Sequence, residues 1–172
     1  KEVYGLKNIE DEVITIKNNV YINSKFIDKF NEKILSLFYD KNEDKIYILS
    51  KSLIGIYNLE TFDQEIEIKE IITIQNKYNL NNIGTKLSSK EILFKNDSQY
   101  YKIKENKLLE LLSNNSKETI NWFNVTAVNK ELAKYYLKIH QGEGVSVTRV
   151  LTELHNGKFF GSVFTLILFI SS

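Results

Sequence analysis

The chain of 172 residues contains no cysteine, so it can form no disulfide and no thiolate metal site. That absence leaves the redox compartment open, because an extracytoplasmic domain can dispense with both. Methionine is absent as well. A chain without even an initiator Met, beginning at Lys1 and ending in an apolar run, reads as a segment excised from a longer protein, and secretion would then fall to an upstream helix. An excess of one charge is also missing: 23 basic against 22 acidic side chains leave a net charge of +1, which gives no electrostatic reason to expect a nucleic-acid partner. The lysines alternate locally with acids and read as a solvated surface. What is present is 42% hydrophobic and 26% charged, which excludes intrinsic disorder, and the length suits one ordinary domain.

Short β-rich runs separated by polar turns dominate the first 128 residues. Lys1 to Asp11 is a polar approach without periodicity and reads as linker. Val13–Ile16 and Val20–Ile22 flank Asn18-Asn19, a pair that tolerates positive φ and predicts a tight hairpin. Residues 34–39, 45–49 and 53–59 predict a three-stranded meander. In 65–75, Ile66, Ile68, Ile72 and Ile74 share one parity, which predicts a strand with one buried face. Residues 76–89 read as a loop, followed by strands at 92–94, 100–103 and 108–112 and another at 121–128. The expected fold is mainly β: a twisted antiparallel sheet or meander with propeller-blade-like hairpins, too short for a closed propeller.

Two helices are expected to end the chain. Asn129 is a candidate N-cap for one that carries Leu132, Tyr135, Tyr136 and Ile139 on one face. Ser146 is the N-cap of a second, with Val147, Val150, Leu151 and Leu154 on one face and Asn156-Gly157 as its stop. Gly142 and Gly144 make the connection a hinge. The expected organisation is a β-rich domain over 1–128, a helical hinge and membrane-return motif over 129–161, and the start of a transmembrane helix over 162–172. Both histidines, the single arginine and four of the seven glycines lie in the run from Tyr135 to Gly161.

Arg149 and the string Leu154-His155-Asn156-Gly157-Lys158-Phe159-Phe160-Gly161, followed by an apolar run, resemble the motif that precedes the second membrane helix in the PepSY-associated transmembrane family, with Asn156 where the family carries threonine. The resemblance covers roughly the last 30 residues. It implies a bacterial inner-membrane protein whose segment between two membrane helices faces the periplasm or cell exterior. It further implies a haem-dependent ferric-chelate reductase in iron uptake, with His155 as a haem ligand and the haem held by the full-length protein.

The residues themselves leave alternatives open. His155 at a helix end can equally cap the helix dipole. Arg149 can pair with Glu153 one turn on, or meet lipid phosphate at a membrane rim. The histidines with Glu143 and Glu153 match no metal-ligand spacing, and no cofactor or catalytic constellation is expected in the segment. The second functional reading is a non-catalytic envelope sensor or protein-interaction module. Phe159 to Ile170 would lie in the bilayer, and without a membrane would be hidden by exchange with a second copy in a homodimer.

Overall fold

The computed structural model describes residues 3–6, 12–111 and 119–141. The first strands are β1 (Val3–Leu6), β2 (Val13–Ile16), β3 (Asn19–Ile22), β4 (Lys25–Lys29), β5 (Ile34–Asp40), β6 (Lys45–Ser50) and β7 (Leu53–Phe62). They are followed by β8 (Glu65–Gln75), β9 (Asn82–Lys86), β10 (Ile92–Lys95), β11 (Tyr100–Lys104), β12 (Lys107–Leu111), β13 (Ile120–Trp122), β14 (Val125–Ala127) and the helix α1 (Lys130–Gln141). They form three antiparallel sheets, in the orders β14-β1-β2-β3-β4, β5-β6-β7-β8 and β12-β11-β10-β9-β13. The chain divides into two compact units, one gathering the described residues of 1–31, 60–67 and 126–172, the other 32–59 and 68–125.

The first unit is a five-stranded sheet with α1 packed on β1 and β2. Asn129 caps the helix as expected, its Oδ1 accepting the Leu132 N–H at 2.8 Å. Glu131 in the first turn and Lys138 and His140 in the last suit the helix dipole. Tyr135, Tyr136 and Ile139 are buried against Val3, Ile14, Ile16 and Tyr21, with Leu132 partly buried beside them. Each such side chain contributes about 1.5–3 kcal/mol by leaving water. The expected apolar stripe is therefore the face that holds the helix down.

The second unit holds the other two sheets apart from the tip of the β7–β8 hairpin, residues 60–67, which falls in the first; the two sheets meet along β5 and β9. Ser36 joins them: its hydroxyl donates to the Phe123 carbonyl at 2.7 Å and accepts from the Ile83 N–H at 3.2 Å. The Phe38 and Phe123 rings stack at 4.3 Å, and Tyr47 meets Phe94 edge-on at 6.5 Å. Buried Asn76 fixes the connection from β8 to β9, donating to the carbonyls of Ser50 and Leu80 and accepting the Leu80 N–H.

Several expectations need correction. Lys1 to Asp11 is not all linker, since Val3–Leu6 pairs with β2 as β1. The first hairpin turns at Lys17-Asn18, with Lys17 at φ 54°, and Asn19 already pairs with Ile16. Residues 76–89 contain β9, whose Ile83 is fully buried between β10 and β13. The single strand expected over 121–128 is two strands in different sheets, broken at Phe123-Asn124. No propeller-like arrangement of the hairpins is present among the described residues. One helix, α1, is described; the second expected helix, the 142–144 hinge and the segment from 162 lie outside the described residues.

Candidate functional site

Three places gather polar or exposed apolar groups. The first is buried in the first unit, where β3 turns into β4 through Asn23 and Ser24, both at positive φ (47° and 71°). A two-residue turn of this kind leaves the second N–H outside the ladder. The Ser24 N–H finds its acceptor in the Tyr136 hydroxyl at 2.9 Å, and that hydroxyl in turn donates to Glu12. Glu12 and Asn23 close the arrangement, the Glu12 N–H donating to Asn23 Oδ1 at 2.9 Å and the Asn23 N–H to the Glu12 carbonyl at 2.8 Å. Burial pushes the Glu12 carboxyl above its ordinary value, against the lowering effect of the Tyr136 hydrogen bond. Burial likewise pushes Tyr136 well up, with the Glu12 charge adding to it. A phenol held neutral between a serine and a carboxylate is a structural clamp.

At the C-terminal end of α1, His140 lies against Tyr21, whose hydroxyl is 2.9 Å from Nδ1; Asn19 Nδ2 is 3.3 Å from the same atom. Burial raises Tyr21 to about 12, which keeps its hydroxyl protonated beside Nδ1. This histidine is thus part of the helix anchor. Lys25, on β4, is 6% exposed, and its ammonium has no hydrogen-bond partner among the described residues. Burial lowers it below its ordinary value, and the charge of Glu65 acts the other way.

The second place is a cleft of about 400 Å³ within the second unit. Tyr47, Ile56, Ile72 and Phe94 supply apolar lining; Asp40, Glu43, Lys45, Lys90 and Glu105 supply charges. Glu91 at its side is engaged, 2.9 Å from Lys86 and 3.8 Å from Lys102. Burial first, and then the charges of Asp40 and Glu43, push the Tyr47 hydroxyl above its ordinary value, so it remains a neutral donor.

The third is the β7–β8 hairpin. β8 is the edge strand of its sheet and eleven residues long. The strand spans the predicted residues, but its isoleucines are only half-buried: Ile66, Ile68, Ile72 and Ile74 are intermediate, Ile71 is 48% exposed, and Phe62 at the tip is 74% exposed.

The residues singled out by the membrane-return motif (Arg149, Leu154, His155, Gly157, Lys158, Phe159, Phe160 and Gly161) lie outside the described residues. Among the described residues, no cluster of histidine, cysteine or carboxylates could hold a metal, and no helix is long and apolar enough to cross a membrane. The clamp at Glu12, Ser24 and Tyr136 was missed from the sequence; three positions up to 124 apart carry no spacing that announces them. Compared with protein-family models, curated proteins and solved structures, the chain matches none.

Proposed function

We propose that the chain is a non-catalytic interaction module that binds an extended segment of another protein along the outer edge of β8. The observation that carries this reading is the edge itself. Eleven residues of strand, with no described strand on their outer side, present half-buried isoleucines on one face and Ile71 on the other. Soluble proteins seldom leave a long apolar edge without a partner, and strand addition uses its unpaired backbone groups for affinity and its alternating side chains for specificity.

Charge selects the partner. The strand carries Glu65, Glu67 and Glu70 against Lys69. In antiparallel self-pairing, the register that brings Ile68 to Ile72 and Ile66 to Ile74 also sets Glu70 against Glu70, a like-charge pair that disfavours a second copy. The complementary segment alternates β-branched apolar residues with Lys or Arg opposite the glutamates.

The test is fluorescence anisotropy with the peptide Thr-Val-Thr-Val-Thr-Lys-Glu-Val-Lys-Val-Lys, beside the same peptide with proline at its two central valines. The first is expected to bind, more weakly as salt rises, and the second not to bind. Equal binding of both would remove strand addition, and self-association of the protein in place of peptide binding would name a second copy as the occupant.

The motif at Arg149 and 154–161 supports a wider proposal, that this module is the extracytoplasmic part of a bacterial inner-membrane protein resembling the PepSY-associated transmembrane family and acting with haem in ferric-chelate reduction. A parent sequence whose membrane helices lack histidine would sink the reductase part and leave the module intact.

A further inference from the structure

The near-neutral total charge of the chain hides an uneven distribution on the sheet β12-β11-β10-β9-β13, which takes no part in strand addition at β8. Residues paired directly across strands share a face, as do alternate residues along one strand. Phe94, with Ile83 and Tyr101 opposite it, faces the other sheet of the unit, where its ring meets Tyr47. The intervening positions form the outer face. All five lysines of these strands stand there (Lys86, Lys95, Lys102, Lys104 and Lys107), while the strands' single acid, Glu110, lies on the inner face opposite Tyr101. Glu91, just before β10, is shared between Lys86 at 2.9 Å and Lys102 at 3.8 Å. Lys104 and Lys107 are exposed and pair directly with each other, a like-charge contact that costs stability unless an anion joins it.

The same face carries two flat rings. Trp122 pairs with Gly84, and a Cβ at Gly84 would lie 2.6 Å from the indole Cε3, so the ring crosses that glycine toward β10 and β11. There it stacks with Tyr100 at 5.8 Å and 19°, and the Lys95 ammonium lies 4.1 Å from its centroid. Both rings are half-buried. A glycine inside a central strand weakens it and marks a place of close approach; here it lets an indole lie along the sheet. The face offers ammonium donors but few acceptors, since Asn82 is committed to Asn124, Ser36 and the Ile83 N–H, and Glu91 to its lysines. A neutral glycan needs acceptors for its hydroxyls, and a bilayer needs apolar side chains that stand out of the surface. A polyanion with planar groups needs neither.

We propose that this face binds a single-stranded nucleic acid, with bases stacked on Trp122 and Tyr100 and phosphates on Lys95, Lys104 and Lys107. Aromatic side chains on an open sheet, flanked by lysines, are how such strands are held without sequence preference. The cation–π contact of Lys95 is weaker than base stacking, so a base displaces the ammonium from the ring and frees it for a phosphate. A phosphate between Lys104 and Lys107 turns their repulsion into two attractions.

Fluorescence anisotropy with a labelled oligothymidylate of about ten nucleotides tests this, beside inorganic polyphosphate and phosphatidylglycerol vesicles as competitors. The oligonucleotide is expected to bind saturably, about tenfold more weakly when salt is tripled if about three phosphates are held. An unlabelled strand should quench the single tryptophan as bases stack on it. Lys104→Gln and Lys107→Gln, both at exposed positions, should each weaken binding and lower the salt slope by about one. Trp122→Leu should weaken binding about tenfold and leave the slope unchanged; if it fails to fold, the quenching carries the stacking arm. No saturable binding at about 0.1 mM protein overturns the proposal. So does binding without quenching, or polyphosphate that competes as well as the oligonucleotide, phosphate for phosphate. Vesicles that bind where the oligonucleotide does not would overturn it in favour of a membrane surface.

Discussion

Replacing Tyr136 by phenylalanine removes one oxygen from the centre of the first unit and leaves its ring in place. The ring's edge-to-face contacts with Tyr21 at 5.6 Å and Tyr135 at 5.4 Å survive, so no cavity opens. What is lost is the acceptor for the Ser24 N–H and the donor to Glu12. Ser24 is fully buried, so its N–H cannot turn to water instead. An orphaned buried donor costs about 1–3 kcal/mol, and at about 2–4 °C per kcal/mol for a chain of this size the melting temperature should fall by several degrees.

The pH dependence gives a second reading of the same substitution. The Tyr136 hydroxyl favours the ionised form of Glu12, so its removal raises the Glu12 carboxyl further above its ordinary value. A carboxyl whose folded value is raised contributes stability that is full below its unfolded value and is lost as pH rises through the folded one. The wild type therefore loses this contribution between the unfolded Glu12 value and its raised folded value, and in Tyr136→Phe the loss extends to higher pH. The gap in stability between the two proteins should widen from pH 4 to pH 7. Urea unfolding followed by far-UV circular dichroism at both pH values measures this, with an unchanged slope certifying that the denatured state is the same. A difference under about 0.5 kcal/mol at pH 7, or one that does not grow with pH, would refute the assignment of Tyr136 as the clamp.

Other outcomes follow from single side chains. Gly84→Ala should destabilise by about 1–3 kcal/mol, since a Cβ there would lie 2.6 Å from the Trp122 ring and 2.9 Å from the Asn121 carbonyl; the only tryptophan makes its fluorescence a direct monitor of that strand pair. Lys25→Met should stabilise by about 1 kcal/mol in the same urea assay, because it removes a buried ammonium without a hydrogen bond among the described residues; a loss of stability would show that the amine has a partner in solution. NMR titration should separate two glutamates in opposite directions. Glu12 should titrate above the ordinary carboxylate range, and Glu32 below it, because the Ser50 hydroxyl, then the Ser52 hydroxyl and N–H, donate to its carboxylate. Glu32 accordingly contributes stability above its unfolded value that is lost as pH falls through its depressed folded one, the reverse of Glu12.

The alternation of isoleucine and polar residues made β8 legible residue for residue, and the meander before it followed from clear runs bounded by polar clusters. Two of the strands that escaped notice, β4 and β9, did so for different physical reasons. Asn23-Ser24, Asp63-Gln64 and Glu105-Asn106 all turn the chain with both central residues at positive φ, and none uses glycine. The usual hairpin signal is a glycine in that position, so the turn at Asn23-Ser24 concealed β4. A different limit hid β9, where only Ile83 and Thr85 point to buried space around Gly84. Its strand character comes from its two neighbours, β10 and β13, which lie after it in the chain.

The candidate sites were less legible than the fold, because each depends on residues from separate elements meeting. Composition showed lysines and acids in local alternation, and most of them are the solvated surface that alternation implies. The basic face differs only because four strands set Lys86, Lys95, Lys102, Lys104 and Lys107 on one side of a sheet and Glu110 on the other, which no local pattern encodes. The edge of β8 is the converse case. Its alternation was visible, but alternation predicts a buried face equally well for a central strand and an edge strand. Position in the sheet order, read from pairing rather than from sequence, turns those isoleucines from core residues into a surface that calls for a partner.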